Sequence, residues 1–172
     1  IMKTDIHIWP KSKFNFYNII SSNFYTSEYV EKKIKRKFNN KGYPLLVSSG
    51  RVGITLILLS LALKRNDKVK IFPYASKCVR DAVSNVCIPS NTKVNNKSSV
   101  QIIYHQYGYI NSNVYKGILI EDAVDTLVQK NGKIFLSGGK YEIWSLNKIL
   151  GSFGGAIIWC KNILEYKKIK KI

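Results

Sequence analysis

The sequence has few cysteines, and it lacks a long apolar run. Its three cysteines, Cys78, Cys87 and Cys160, form no CxxC pair, and their odd number argues against a disulfide framework. The longest uncharged apolar run, residues 52–63, is shorter than the roughly 20 residues that cross a bilayer. The first ten residues also lack the apolar core of a signal peptide. We therefore expect a protein of the reducing cytoplasm without a membrane partner.

Acidic residues are scarce as well. The chain has 10 Asp and Glu against 28 Lys and Arg, which gives a net charge of +18. Such a charge can mark a nucleic-acid-binding protein. However, only four of the basic residues are arginine, whereas surfaces that read bases favour its planar, bidentate side chain. We interpret most lysines as solvated surface and favour a small-molecule partner, with nucleic-acid binding as an alternative.

Short apolar segments alternate with helical patterns along the chain, which has 172 residues and fits one domain. A helix is predicted over residues 26–40, with Ser27 as its N-cap and Val30, Ile34 and Phe38 as its apolar stripe. The alternation predicts an α/β fold with a mostly parallel sheet flanked by helices. Further helices are predicted over residues 52–63, 77–87 and 161–172, and strands over 43–50, 67–74, 100–108, 117–122, 138–148 and 155–160.

Ser49, Gly50 and Arg51 join a predicted strand to a predicted helix. A helix start offers free backbone N–H groups and the positive end of the helix dipole, which together suit a phosphate. Ser49 adds a hydroxyl group and Arg51 adds a charged donor. The pattern indicates a phosphate cradle, and an ordinary serine-capped turn is the alternative.

Asp122 closes the predicted strand at residues 117–122, which is otherwise mainly apolar. A carboxylate there is costly unless it meets a cation or hydrogen-bond donors. One suitable cation is the protonated ring nitrogen of a pyridine cofactor, because the carboxylate keeps that nitrogen protonated and lets the ring accept electrons. A loop cap or a structural ion pair is the alternative.

Lys148 ends a predicted strand and precedes the glycine-rich residues 151–155. A lysine can form a Schiff base where desolvation or a neighbouring cation makes it lose its proton easily. A plain surface lysine is the alternative. Ser145 and Lys148 also match the S-x-x-K motif of penicillin-recognising enzymes, but the K-T-G strand that this chemistry needs is absent from the sequence.

Taken in order, four segments resemble motifs of the DegT/DnrJ/StrS-type aminotransferases. These are fold type I enzymes that use pyridoxal 5′-phosphate (PLP) to aminate nucleotide-linked keto-sugars. The stretch SSGRVGITLILLSLAL resembles their phosphate-loop helix, and YHQYG resembles their H-x-[YF]-G motif. IEDAVD resembles E-D-A-A-Q, and SLNKILGSFGGAII resembles the lysine segment. The resemblance covers residues 42–160.

The resemblance implies a role for each candidate residue. Lys148 would be the catalytic Schiff-base lysine and proton carrier, and Asp122 would pair with the pyridinium nitrogen. Gly50, Arg51 and Ser145 would hold the phosphate, together with the hydroxyl of Ser49. Asp125 would stand near the ring hydroxyl of the cofactor.

The chain also departs from the family pattern. The family usually has Gln or His where this chain has Asp125. Lys77 falls about where an aromatic residue stacks on the ring, so Tyr74 is the candidate substitute. The family's smaller C-terminal domain is lacking. We expect an N-terminal helical or irregular segment at residues 1–41, a PLP-binding α/β domain at 42–160 and a basic helix or tail at 161–172.

The function implied by the resemblance is amino-group transfer, from glutamate, to a nucleotide-linked keto-sugar through a Schiff base with PLP. The family works as dimers with shared sites, so the resemblance implies a homodimer. A catalytically inactive, truncated relative that acts as a binding or scaffold module is the first alternative. A basic nucleic-acid-binding protein is the second.

Overall fold

The computed structural model describes residues 25–39, 41–91, 99–111, 116–126 and 132–172. Within these ranges a mixed sheet has helices on both faces. Its strands are β1 (Tyr43–Val47), β2 (Lys68–Lys70), β3 (Ile88–Ser90), β4 (Val100–Gln106), β5 (Ile118–Asp125), β6 (Tyr141–Ser145) and β7 (Ala156–Cys160). The helices are α1 (Ser27–Lys37), α2 (Gly50–Ser60), α3 (Lys77–Ser84), α4 (Leu146–Leu150) and α5 (Ile163–Lys170).

The seven strands lie in the order β1-β7-β6-β5-β4-β2-β3. Strand β7 runs antiparallel to both of its neighbours, β1 and β6. The pairings from β6 through β5, β4 and β2 to β3 are all parallel. The expected α/β fold with a mostly parallel sheet is therefore confirmed. Because the strands other than β7 share one direction, their carboxyl ends meet at one edge, where ligands bind in such sheets.

Side-chain alternation along the strands supplies an apolar core on each face of the sheet. On one face, Ile120 and Ile143 are buried in the same cluster as Ile57 of α2. On the other face, Trp144 and Trp159 pack against Phe38, which follows α1. Neighbouring residues of one strand thus serve opposite layers, and both layers hold the sheet rigid beneath its carboxyl edge.

Trp159 is the largest fully buried side chain, and its indole N–H has no hydrogen-bond partner among the described residues. We expect Trp159→Ala to lower the free energy of unfolding by about 3–5 kcal/mol, because it leaves a cavity against Phe38 and Trp144. Trp159→Phe keeps most of the packing and removes the unpaired donor, so its cost should stay below about 1.5 kcal/mol. Urea denaturation followed by circular dichroism measures both; equal losses would contradict this packing role.

The structure corrects the sequence-based expectations in four places. Helix α1 is capped by Thr26, whose hydroxyl accepts from the Tyr29 N–H at 3.3 Å, and not by Ser27. The short strand β3 was not expected. Strand β5 extends to Asp125, so Asp122 lies within it and not at its end. Lys148 lies in helix α4 and not in a strand. The cap of α1 is decided by a local hydrogen bond, whereas β3 and the end of β5 form by pairing with distant strands.

The proposed division into three segments stays a prediction. Residues 1–24 of the first segment lie outside the described residues. Residues 163–170 of the last segment form helix α5, whose Tyr166 hydroxyl donates to Glu31 of α1 at 2.8 Å. Glu31 also accepts from the backbone N–H of Leu46 in β1 at 2.9 Å. Both flanking helices are thus tied to the sheet.

Candidate active site

Strand β5 and helix α4 bring two carboxylates and an amine together at the carboxyl edge of the sheet. Asp122 and Asp125 are both buried in β5. Lys148 of α4 places its Nζ 2.5 Å from Asp125 Oδ1. Lys148 also lies close enough to Asp122 for its charge to lower the pKa of that carboxyl. The amine and both carboxylates therefore share one site.

Asp122 is held in an environment that disfavours its charge. Burial raises its pKa to about 7, and the neighbouring charge of Asp125 adds to the rise. The Val124 N–H, 3.3 Å from Asp122 Oδ1, opposes the rise, as does Lys148. The carboxyl lines a pocket with Phe72 and Tyr104, among other residues. The pocket is small, about 10 Å³, and Lys148 is not among the residues that line it.

Asp125 uses both of its carboxylate oxygens within the protein. Oδ1 accepts from Lys148, and Oδ2 accepts from the hydroxyl of Tyr104 on β4. Burial, followed by the hydrogen bond to Asp125, raises the pKa of Tyr104. Sequence reasoning missed Tyr104. The feature that brings Tyr104 to the site is the strand register, which places it directly opposite Asp122 in the parallel pair β4–β5.

Helix α2 begins close to this cluster. Its N-cap is Ser49, whose Oγ accepts from the Val52 N–H at 3.3 Å. A Cβ atom on Gly50 would lie 3.2 Å from Cγ1 of Val124, the residue whose N–H bonds to Asp122. Glycine thus lets the helix start approach β5 closely. Arg51 follows on the exposed side of the first turn.

Ser145 lies at the same edge as the start of α2. It ends β6 and pairs with Ala156, whose other neighbour is Val47 at the end of β1. Two backbone hydrogen bonds tie the surrounding loops together. Gly155 N donates to Ser48 O at 3.1 Å, and Leu146 N donates to Gly155 O at 3.0 Å. The glycine-rich segment therefore joins the start of α4 to the turn before α2.

Tyr74, the expected ring-stacking residue, is 87% exposed in the turn after β2. Phe72, two residues earlier, lines the pocket that contains Asp122. Lys77 is exposed at the first position of α3. A stacking role for Tyr74 stays a prediction, and Phe72 is an aromatic side chain that sequence reasoning missed.

His105 belongs to the opposite face of the sheet. Its Nδ1 accepts from the Asn111 N–H at 3.1 Å, so its Nε2 carries the proton and donates to Glu121 Oε2 at 2.8 Å. Glu121 also accepts from the backbone N–H groups of Ser137 at 2.7 Å and Gly139 at 2.5 Å. This buried network fixes the loop before β6 and serves structure.

A family model matches residues 30–172, and its description is "Putative PLP-dependent aminotransferase". The match covers most of the chain, which therefore belongs to this family of PLP-dependent proteins. No curated protein matches the chain.

Solved structures share the fold. A Bacillus cereus protein with the same description has a TM-score of 0.72 at 15% identity, covering 95% of this chain and 56% of that one. GDP-4-keto-6-deoxymannose-3-dehydratase with a trapped PLP-glutamate geminal diamine has a TM-score of 0.74 at 14% identity, covering 96% and 54%. A DegT DnrJ EryC1 StrS aminotransferase from Brucella abortus has a TM-score of 0.70 at 14% identity, covering 91% and 52%.

These likenesses confirm the fold type I architecture and the predicted resemblance to DegT-type proteins. The chain spans about half the length of the solved relatives it matches. Among the described residues, no helix has the length and apolar character that crossing a membrane requires.

Proposed function

We propose that the chain is the PLP-binding part of an aminotransferase that moves an amino group from glutamate to a nucleotide-linked keto-sugar. One observation carries the proposal: the Lys148 amine and the buried Asp122 carboxyl share a site at the carboxyl edge of the sheet. Membership of a PLP-dependent family supports the cofactor. The dehydratase with a trapped PLP-glutamate adduct supports the donor and the sugar class.

The chemical groups at this site are those that PLP binding would use: a buried carboxyl, an amine and a helix start. The carboxyl of Asp122 lines a pocket and loses its proton only near neutral pH, so a protonated ring nitrogen beside it would form a charge-assisted bond. Lys148 would bond covalently to the aldehyde carbon with loss of water. Once released, it would carry the proton from the amino-bearing carbon of the substrate to the former aldehyde carbon. When bound, the cofactor supplies an electron sink for the carbanion.

The phosphate of PLP would lie at the start of α2. Gly50 keeps this helix start close to β5, and Ser49 retains its hydroxyl hydrogen as a donor while its oxygen caps the helix. Arg51 would add charge from the first turn. Ser145, across β7 from the end of β1, would donate from the other side.

A homodimer is part of the proposal. Tyr107, Tyr109 and Phe153 are each more than two-thirds exposed, and all lie in loops at the carboxyl edge, near the candidate site. Exposed aromatic groups that cluster in this way are typical of surfaces covered by a partner. The proposed location is the cytoplasm, which suits free cysteines at positions 78, 87 and 160.

One observation favours a non-catalytic relative as the second candidate. Asp125 already holds the Lys148 amine in a close ion pair. Such a chain would bind PLP without turning over an amino donor.

A spectroscopic titration separates the two candidates. Purified protein is mixed with PLP, and the visible absorbance of the covalently linked cofactor is followed; glutamate is then added, with alanine as the control donor. The proposed aminotransferase should lose the band with glutamate and release 2-oxoglutarate in equal amount. A band that persists with glutamate would support the non-catalytic candidate, and no band at any PLP concentration would contradict both.

A further inference from the structure

We propose that Asp125, anchored by Tyr104, holds the Lys148 amine and restrains its reactivity toward electrophiles. We call these three side chains the Lys148 clamp. The inference deepens the proposed function, because it assigns the residues that control the reactive lysine. It rests on the proposed function only where the clamp is given a role in catalysis. The test of the clamp needs no cofactor, so failure of the clamp proposal does not imply failure of the proposed function, and the reverse also holds.

The geometry of the Lys148 clamp differs from that of an ordinary surface ion pair. The side chain of Asp125 is 5% exposed, whereas that of Lys148 is 35% exposed. Tyr104 fixes one carboxylate oxygen while the other faces the amine at 2.5 Å. The carboxylate is therefore held in place before the lysine meets it, and little side-chain entropy is lost in forming the pair.

The charged and titratable groups around the clamp come from three elements. Strand β5 supplies Asp122, whose own pKa is raised mainly by burial. Strand β4 and its following turn supply Tyr104 and Tyr107, and both interact with their neighbours electrostatically. Helix α4 supplies Lys148. The carboxylate, fixed by burial and by Tyr104, holds the amine in a charge-assisted hydrogen bond. The Lys148 amine is thus accessible to reagents but must leave this bond to react.

The chain contains a matched control away from the site. The side chain of Lys140 is 33% exposed, and its Nζ lies 2.9 Å from Glu165 Oε1. The hydroxyl of Tyr141 donates to the other oxygen of Glu165. This group repeats the tyrosine, carboxylate and lysine arrangement of the Lys148 clamp. It therefore reports any general change in folding or reagent access.

Trace labelling of lysines with acetic anhydride tests the clamp on the chain without added PLP. Peptide mass spectrometry gives the rate at Lys148 relative to that at Lys140 at neutral pH. In Asp125→Asn the Lys148 rate should rise about tenfold, because the fixed charge is removed while the shape is kept. The Lys140 rate should not change. Glu165→Gln should do the reverse, raising the rate at Lys140 alone.

Tyr104→Phe distinguishes a role of Tyr104 in positioning Asp125 from a general loosening of the packing. Because Tyr104 anchors Asp125, its loss should free the carboxylate to move away from the amine and speed labelling of Lys148 about threefold. In the Asp125→Asn background the same change should have no effect. Loosened packing would instead accelerate labelling of Lys148 in that background too.

An unchanged or slower Lys148 rate in Asp125→Asn would overturn the proposal, as would an unchanged or slower rate in Tyr104→Phe. If Asp125→Asn unfolds the chain, the rate at Lys140 rises as well. Tyr104→Phe then carries the test alone.

Discussion

Replacing Lys148 with alanine should slow the glutamate half-reaction by about 10³-fold or more, because both the covalent attachment and the proton carrier are lost. The chain should remain folded, because Lys148 is partly exposed and contributes no apolar core. Stopped-flow absorbance of the PLP-loaded protein measures the rate, and circular dichroism checks the fold.

Lys140→Ala is the matched control for this prediction. Lys140 has a similar exposure and a similar carboxylate partner but lies outside the site. Its loss should leave the half-reaction rate within about twofold of the original, since it touches neither cofactor nor substrate in the proposed arrangement. If Lys148→Ala and Lys140→Ala slow the half-reaction equally, Lys148 has no specific role in the mechanism.

The change that Asp122→Asn makes in the free energy of unfolding of the PLP-free chain should be about 2–4 kcal/mol more favourable at pH 8 than at pH 5. The pKa of Asp122 rises from 3.8 to about 7 on folding, mainly through burial. Between these values the folded chain binds more protons than the unfolded chain, so stability falls as pH rises through this window. Asparagine removes that loss and can still accept from the Val124 N–H.

Urea denaturation at pH 5 and pH 8 measures the difference. Glu142→Gln is the control on the opposite face, where burial, then Glu121, raises the pKa of Glu142 to about 7. Glu142→Gln should change the pH dependence of the free energy of unfolding without changing the affinity for PLP.

Asp122→Asn should also weaken PLP binding by about tenfold or more, because a charge-assisted bond is lost. If Asp122→Asn is less stable than the original chain at pH 8, the result would contradict a destabilising buried charge at Asp122.

The succession of motifs in the sequence was enough to predict the family, the fold and the neighbourhood of Asp122 and Lys148. Each motif lies at or directly after the carboxyl end of a strand, and parallel strands end at one edge, so order along the chain translates into proximity. The apolar stripe of α1 was also predictable from its spacing, since Ile34 and Phe38 do pack on the sheet.

The contacts within the site were less predictable. The hydrogen bond from Lys148 to Asp125, 23 residues away in the chain, was not expected. A place for Asp125 near a ring hydroxyl stays a prediction. Tyr104 reaches Asp125 only through the register of β4 against β5, including its irregularity after Tyr104. Local propensity carries no information on such pairings, which depend on the relative positions of strands.

The most direct test of the proposed site is to reduce the PLP-loaded chain with borohydride and map the attached cofactor by peptide mass spectrometry. The chain has 28 basic residues, so unspecific attachment would spread over many lysines. We predict one dominant modification, at Lys148, which decreases in Asp122→Asn at limiting PLP. Modification spread evenly over surface lysines, or concentrated at a lysine other than Lys148, would contradict the proposed site.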